Sequence, residues 1–159
     1  MHTNASIHIR HANSNDTAFI LSLVPRLTEF GPPSWRNEQG MTETDSGILA
    51  DRLLNEYADT VIFIAADENN TALGFIHIQP GNDIYNKEKH GHISDLIVAP
   101  GAGGRGIGRL LMNKAEEWAR SRQFRWLTLT VFAQNTRARK LYKEIGYGED
   151  MIKCVKELK

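Results

Sequence analysis

The chain has a single cysteine, Cys154, in 159 residues. An internal disulfide is therefore excluded, and the reducing cytoplasm is the expected setting. It has no surplus of charge either, because 19 basic residues balance 19 acidic ones. Long-range attraction to nucleic acid or to an anionic membrane is then not its theme, and neither is expected as a partner. No apolar run nears the ~20 residues needed to span a bilayer. The opening stretch Met1–Ser6 is polar and reads as no secretory signal. No repeat, low-complexity tract or linker interrupts the chain, so residues 1–159 read as one domain. A domain of this size buries roughly two-thirds of its unfolded surface and needs no metal or disulfide staple.

What is present is a change of hydrophobic period along the chain. Ile7 to Ala12 alternates and predicts a strand, and Ser14-Asn15-Asp16 supplies capping side chains for a helix. Phe19, Ile20, Leu23, Val24 and Leu27 share one stripe of that helix, which Pro25 should kink. Phe30 to Thr42, with two prolines and two glycines, predicts a loop. Its apolar residues Phe30, Trp35 and Met41 either tuck back onto the core or form a substrate-binding flap. A second helix is expected from about Asp45 to Tyr57. Strands follow at Thr60 to Ala66, Ala72 to Gln79 and His92 to Ala99, with Pro80-Gly81-Asn82-Asp83 opening the connection to the third. Then come an amphipathic helix, a strand at Trp126 to Phe132, a helix at Thr136 to Ile145 and a closing strand. The order β-α-α-β-β-β-α-β-α-β predicts an α/β fold with a mixed sheet and helices on both faces.

Between the third of those strands and the amphipathic helix lies Gly101-Ala102-Gly103-Gly104-Arg105-Gly106-Ile107-Gly108. A helix N-terminus at the end of a strand offers unpaired N–H groups and partial positive charge, which suits a phosphate. Gly101-x-Gly103-x-x-Gly106 also satisfies the dinucleotide fingerprint, but that reading needs an acidic residue ending the next strand. Here the strand ends Thr130-Val131-Phe132-Ala133-Gln134, with no carboxylate. A nicotinamide site is thereby disfavoured, and no phosphate loop of the GxxxxGK[ST] type exists.

A second block, Asn135 to Tyr147, carries an N-capping Asn135, a stripe of Ala138, Leu141, Tyr142 and Ile145, and a stop at Gly146. Positions 135, 138 and 142 share a face, so an amide and a phenol point the same way. Together the two blocks resemble the GNAT superfamily of N-acetyltransferases. Its R/Q-x-x-G-x-G/A motif is matched by Gly103-Gly104-Arg105-Gly106-Ile107-Gly108, and its Asn…Ala…Leu-Tyr…Gly-Phe/Tyr pattern by Asn135, Ala138, Leu141-Tyr142 and Gly146-Tyr147. The resemblance covers roughly residues 60 to 147. Two features depart from it. The leading Arg or Gln falls on Gly103, shifting the expected grip to backbone N–H groups. The tail after Gly146 is also short for two closing strands, so the sheet lacks its last strand or a second copy of the chain covers that edge as a homodimer.

The resemblance implies a mostly antiparallel central sheet and acetyl-CoA as co-substrate. Its pyrophosphate would sit on Gly103, Gly104, Arg105, Gly106, Ile107 and Gly108. The pantetheine arm would pair with Leu96, Ile97 and Val98, one N–H holding the thioester oxygen. Asn135 would bond the pantetheine, Tyr142 would protonate the departing sulfur, and Arg139 and Lys143 would approach the adenosine phosphate. His92 falls where a catalytic base is expected, and Asp95 is the other titratable candidate, although regular alternation puts it on the opposite face. His90, His92 and His77 lack a cysteine or a further clear ligand, so no metal is expected. The acceptor is a primary amine, on a small molecule or on a protein or peptide, and a non-catalytic CoA-binding module is the rival from another class. Phe30, Trp35 and Arg36 would line the acceptor side.

Overall fold

The computed structural model describes residues 6–159; Met1 to Ala5, most of the stretch read as no secretory signal, lie outside the described residues. Five strands form one sheet in the order β1-β2-β3-β4-β5. They are β1 (His8–His11), β2 (Val61–Ala66), β3 (Ala72–Asn82), β4 (Lys89–Val98) and β5 (Leu127–Leu129). The first four run antiparallel, and β5 is parallel to β4. Helices α1 (Thr17–Leu23) and α2 (Glu38–Leu54) cover one face, while α3 (Ile107–Ser121) and α4 (Thr136–Glu144) cover the other.

Alternation along the strands explains the two layers. Ile62, Ile64, Phe75 and Ile97 point to α1 and α2, where Ile20, Leu23, Val24 and Leu49 meet them. Phe63, Ala65, Ile76, Ile78 and Ile93 point the other way, onto Ile107, Leu111, Met112, Ala115 and Trp118 of α3.

A 3-10 turn, Ser14–Asp16, precedes α1 and carries the cap, while α1 itself begins at Thr17 with no side-chain cap. Asn13 accepts from Asn15 N–H at 2.9 Å, and Asp16 accepts from Asn13 N–H at 2.8 Å, a reciprocal capping box. Pro25 does more than kink that helix. The α-helix ends at Leu23, and Val24–Thr28 continues as a tighter 3-10 turn.

The largest difference from expectation is α2. It begins at Glu38 rather than near Asp45, because the Asn37 side chain accepts from Gly40 N–H at 2.7 Å and caps it. Met41 is therefore helical. The helix stops at Leu54, short of Tyr57, whose hydroxyl donates to Asp51 at 2.7 Å.

Strand β3 runs through Pro80-Gly81-Asn82 instead of ending at Gln79, so the β3–β4 connection is a hairpin closed from Asp83 to Glu88. Strand β5 is shorter than predicted, and the expected closing strand is not formed: residues after Tyr147 have no regular structure. Among the described residues, no helix is long and apolar enough to cross a membrane. Cys154 is free and exposed in the tail.

Candidate active site

Strands β4 and β5 run together only at Gly91–Leu127, His92–Thr128 and Ile93–Leu129. Beyond Ile93, β4 continues to Val98 paired with β3 alone. The edge of β4 that carries Leu96, Ile97 and Val98 therefore opens away from β5. Its backbone polar groups are available on that side to an extended ligand.

The glycine turn caps this opening. Gly101, Gly104 and Gly106 have φ of 80°, 78° and 73°, a left-handed backbone that an L side chain rarely adopts. A Cβ at Gly104 or Gly106 would meet nothing within 4 Å. Among the described residues, no N–H from Gly103 to Gly108 has a turn or capping partner, whereas the flanking Ala102 and Leu110 N–H groups bond to Ala99 and Gly106. Unpartnered donors beside open space at a helix N-terminus fit a diphosphate. Arg105 lies at the same turn, with its charge felt by Asp67 of the β2–β3 connection.

Helix α4 packs beside α3, and a Cβ at Gly108 would sit 3.7 Å from Leu141 Cδ2. Asn135 caps α4, its side-chain oxygen accepting from Ala138 N–H at 3.1 Å. The amide nitrogen of Asn135 remains a donor for a ligand. Tyr142 is partly buried in the α3-side core, in the cluster that includes Leu96, Val98 and Ile107. Burial pushes its phenol up, so it stays protonated across the neutral range. Tyr147 lies beside it at 6.0 Å between ring centroids, and its buried hydroxyl has no partner among the described residues.

On the opposite face, β4 carries a bulge. Ile93 pairs with Ile78 and Asp95 with His77, leaving Ser94 as an extra residue. His92 pairs with Gln79, two residues from His77, so His92 and Asp95 lie on the same face. The placement of Asp95 opposite His92 is thus corrected, and the bulge is the reason. Asp95 is already engaged: its carboxylate lies 2.9 Å from Nδ1 of the fully buried His77. Asp45 of α2 feels the Asp95 charge, and burial first, then that charge, raises its pKa.

His92 Nδ1 lies 2.8 Å from Thr128 Oγ1, and that hydroxyl donates to the Gly91 carbonyl at 3.4 Å. A hydroxyl whose proton is directed to a carbonyl accepts from Nδ1–H, which leaves Nε2 as the lone-pair nitrogen of His92. Burial, helped by the charge on His90, lowers the His92 pKa, while Asp95 opposes the shift.

Phe30 and Trp35 do not tuck back onto the core. They are 49% and 50% exposed, and the Arg36 guanidinium stacks over the Trp35 ring at 4.5 Å. Their loop leans on the β5–α4 connection, where Gly31 passes against the Gln134 side chain. Arg139 is turned elsewhere, donating to Ala133 O at 2.9 Å and to Glu149 at 2.8 Å. The sequence reading missed Asp45, Thr128 and the His77–Asp95 contact. The register across the bulge pairs His77 with Asp95, and the β4–β5 pairing sets Thr128 against His92. The broad concavity lined by His11, Arg52, Tyr57 and Thr60 lies at the β1 edge, away from these groups.

Comparison with known proteins agrees with this geometry. The model of the acetyltransferase (GNAT) family matches residues 26–147. A relative from Bacillus subtilis named "uncharacterized N-acetyltransferase YhfO" is 31% identical over 144 residues, 91% of each chain. The streptothricin acetyltransferase of Streptomyces lavendulae is 35% identical over 93 residues, 58% of this chain and 47% of its own. A candidate acetyl transferase from Pyrococcus furiosus superposes with a TM-score of 0.77 at 25% identity, over 96% of this chain and 100% of its own. The aminoglycoside N-acetyltransferase AAC(6')-Iy, solved with CoA, gives 0.72 at 17% identity over 99% and 98%, a likeness of fold. The chain belongs to the GNAT family and is an acetyl-CoA-dependent N-acetyltransferase.

Proposed function

We propose that the chain, working in the cytoplasm as one catalytic domain, acetylates a primary amine on a small molecule by direct attack in a ternary complex. Acetyl-CoA supplies an activated acyl group as a thioester. Backbone groups of Leu96, Ile97 and Val98 hold its pantetheine arm, with one N–H on the thioester oxygen. The turn Gly103–Gly108 holds the pyrophosphate, and the Asn135 amide nitrogen donates to the pantetheine.

His92 Nε2 takes the proton from the acceptor ammonium, so that a neutral nitrogen attacks the carbonyl. As the C–N bond forms, the C–S bond breaks. Tyr142, whose phenol burial keeps protonated, gives its proton to the departing sulfur and regains one from the nitrogen, which sheds it as the amide forms. The observation that carries this reading is the position of His92. It stands one register pair before β4 and β5 part, on the strand that ends in the glycine turn.

The small-molecule acceptor is favoured by two likenesses, to a streptothricin acetyltransferase and to a fold neighbour solved with a CoA–acetylneamine bisubstrate analogue. Phe30, Trp35 and Arg36 would border the acceptor. A panel of amines, assayed for CoA release from acetyl-CoA, tests it. Turnover of small amines is the expected result. Turnover of peptide N-termini or lysines alone would reverse the assignment.

A further inference from the structure

Gly103 is a glycine without a conformational reason to be one. Unlike Gly101, Gly104 and Gly106, it is not among the residues of positive φ. Its φ would admit a side chain, so the space beside it is informative. The one neighbour that such a Cβ would meet is Nη2 of Arg137, at 3.9 Å. Arg137 stands in the first turn of α4, and the contact between Gly108 and Leu141 brings that turn alongside the glycine turn.

Arg137 makes no ion pair or side-chain hydrogen bond among the described residues, in contrast to Arg139 two positions on. A guanidinium left unpaired, over a turn whose N–H groups are unpartnered, adds a cation to a set of donors. Guanidinium and phosphate match in charge and in fork geometry. A Cβ at position 103 would touch this guanidinium at ordinary contact distance, so a longer side chain there would crowd its approach to the turn.

We propose that Arg137 reaches across from α4, through the room left by Gly103, to bind the pyrophosphate of acetyl-CoA. The inference rests on the assignment of the glycine turn to that group. It replaces a grip by backbone alone with one shared between the turn and α4.

The test is titration calorimetry of wild type and Arg137→Ala with acetyl-CoA and with dephospho-CoA, which keeps the pyrophosphate and lacks the 3′-phosphate. Arg137 is exposed, so unliganded melting temperatures should coincide and report that the variant folds. Arg137→Ala is expected to weaken both ligands about tenfold and to flatten the dependence of affinity on salt. Arg137→Lys, keeping charge without the fork, should recover part of the loss. Equal affinity of wild type and Arg137→Ala for acetyl-CoA would overturn the proposal while leaving the turn assignment standing. A deficit with acetyl-CoA that vanishes with dephospho-CoA would overturn the pyrophosphate as its target. Wild type that binds neither ligand would instead sink the turn assignment itself.

Discussion

His92 and Thr128 face each other across the next-to-last pair before β4 and β5 separate, with Nδ1 of the imidazole 2.8 Å from the hydroxyl oxygen. Donating to the Gly91 carbonyl at 3.4 Å, the hydroxyl can accept from Nδ1–H, the tautomer that keeps the lone pair on Nε2. Thr128→Val removes the acceptor while nearly keeping the shape. It should lower kcat by about tenfold, as Nδ1 becomes free to exchange roles with Nε2. Thr128→Ser should retain activity. Steady-state rates of the three proteins decide it, and a fully active valine variant would detach Thr128 from the chemistry.

The pH dependence follows from the direction of the His92 shift. Its folded pKa lies below the ordinary ~6.5, so the neutral, proton-accepting form is already complete at neutral pH. The acid limb of kcat/KM should therefore fall below ~6.5. In His92→Ala that limb should vanish, with a rate loss of about a hundredfold or more. A limb unchanged in the alanine variant would assign it to another group.

Tyr142→Phe deletes only a hydroxyl. It should reduce kcat by about a hundredfold and leave acetyl-CoA affinity nearly intact, as measured by turnover and by calorimetry in parallel. A rate equal to wild type would remove the phenol from the proton transfer.

Asp16 makes a pH-dependent contribution to stability at the other end of the sheet. Its carboxylate accepts from Arg10 at 2.7 and 2.9 Å and closes the capping box, and the Arg10 hydrogen bonds foremost hold its pKa low. A carboxylate depressed in the fold stabilises it above the unfolded value of ~3.9, and that stabilisation is lost as pH falls through the folded pKa. Asp16→Asn should therefore cost about 1–3 kcal/mol in urea unfolding at pH 7, the gap to wild type closing as pH falls below ~3.9 and through the folded pKa. A gap independent of pH would point to the cap alone.

Much of this was legible in the chain. The alternation of β2, β3 and β4, the single apolar face of α3 and the glycine turn all follow local rules of period and backbone freedom. The boundaries of α2 did not follow them. Its first turns, Glu38 to Thr44, carry no apolar stripe and include Gly40, and only the Asn37 cap marks the start. The length of β5 was hidden because Trp126 to Phe132 has the composition of a strand throughout, while pairing stops at Leu129. The side of Asp95 was illegible for a sharper reason. A regular period of two predicts one face, and a bulge, which depends on pairing with β3, yields the other. Arg137 was visible as a basic residue, but its approach to Gly103 is a tertiary fact.

Ser94 acts as a phase step in β4. Upstream of it, His92 takes its side from the pairing with Gln79; downstream, Asp95 and Ile97 take theirs from His77 and Phe75. Without that extra residue the downstream half would rotate by one position, turning Ile97 out of the α1–α2 core and Asp95 away from His77. The strand is thus two short rulers joined out of register. One carries His92 and the other the edge of Leu96 to Val98, each held in its own register against β3.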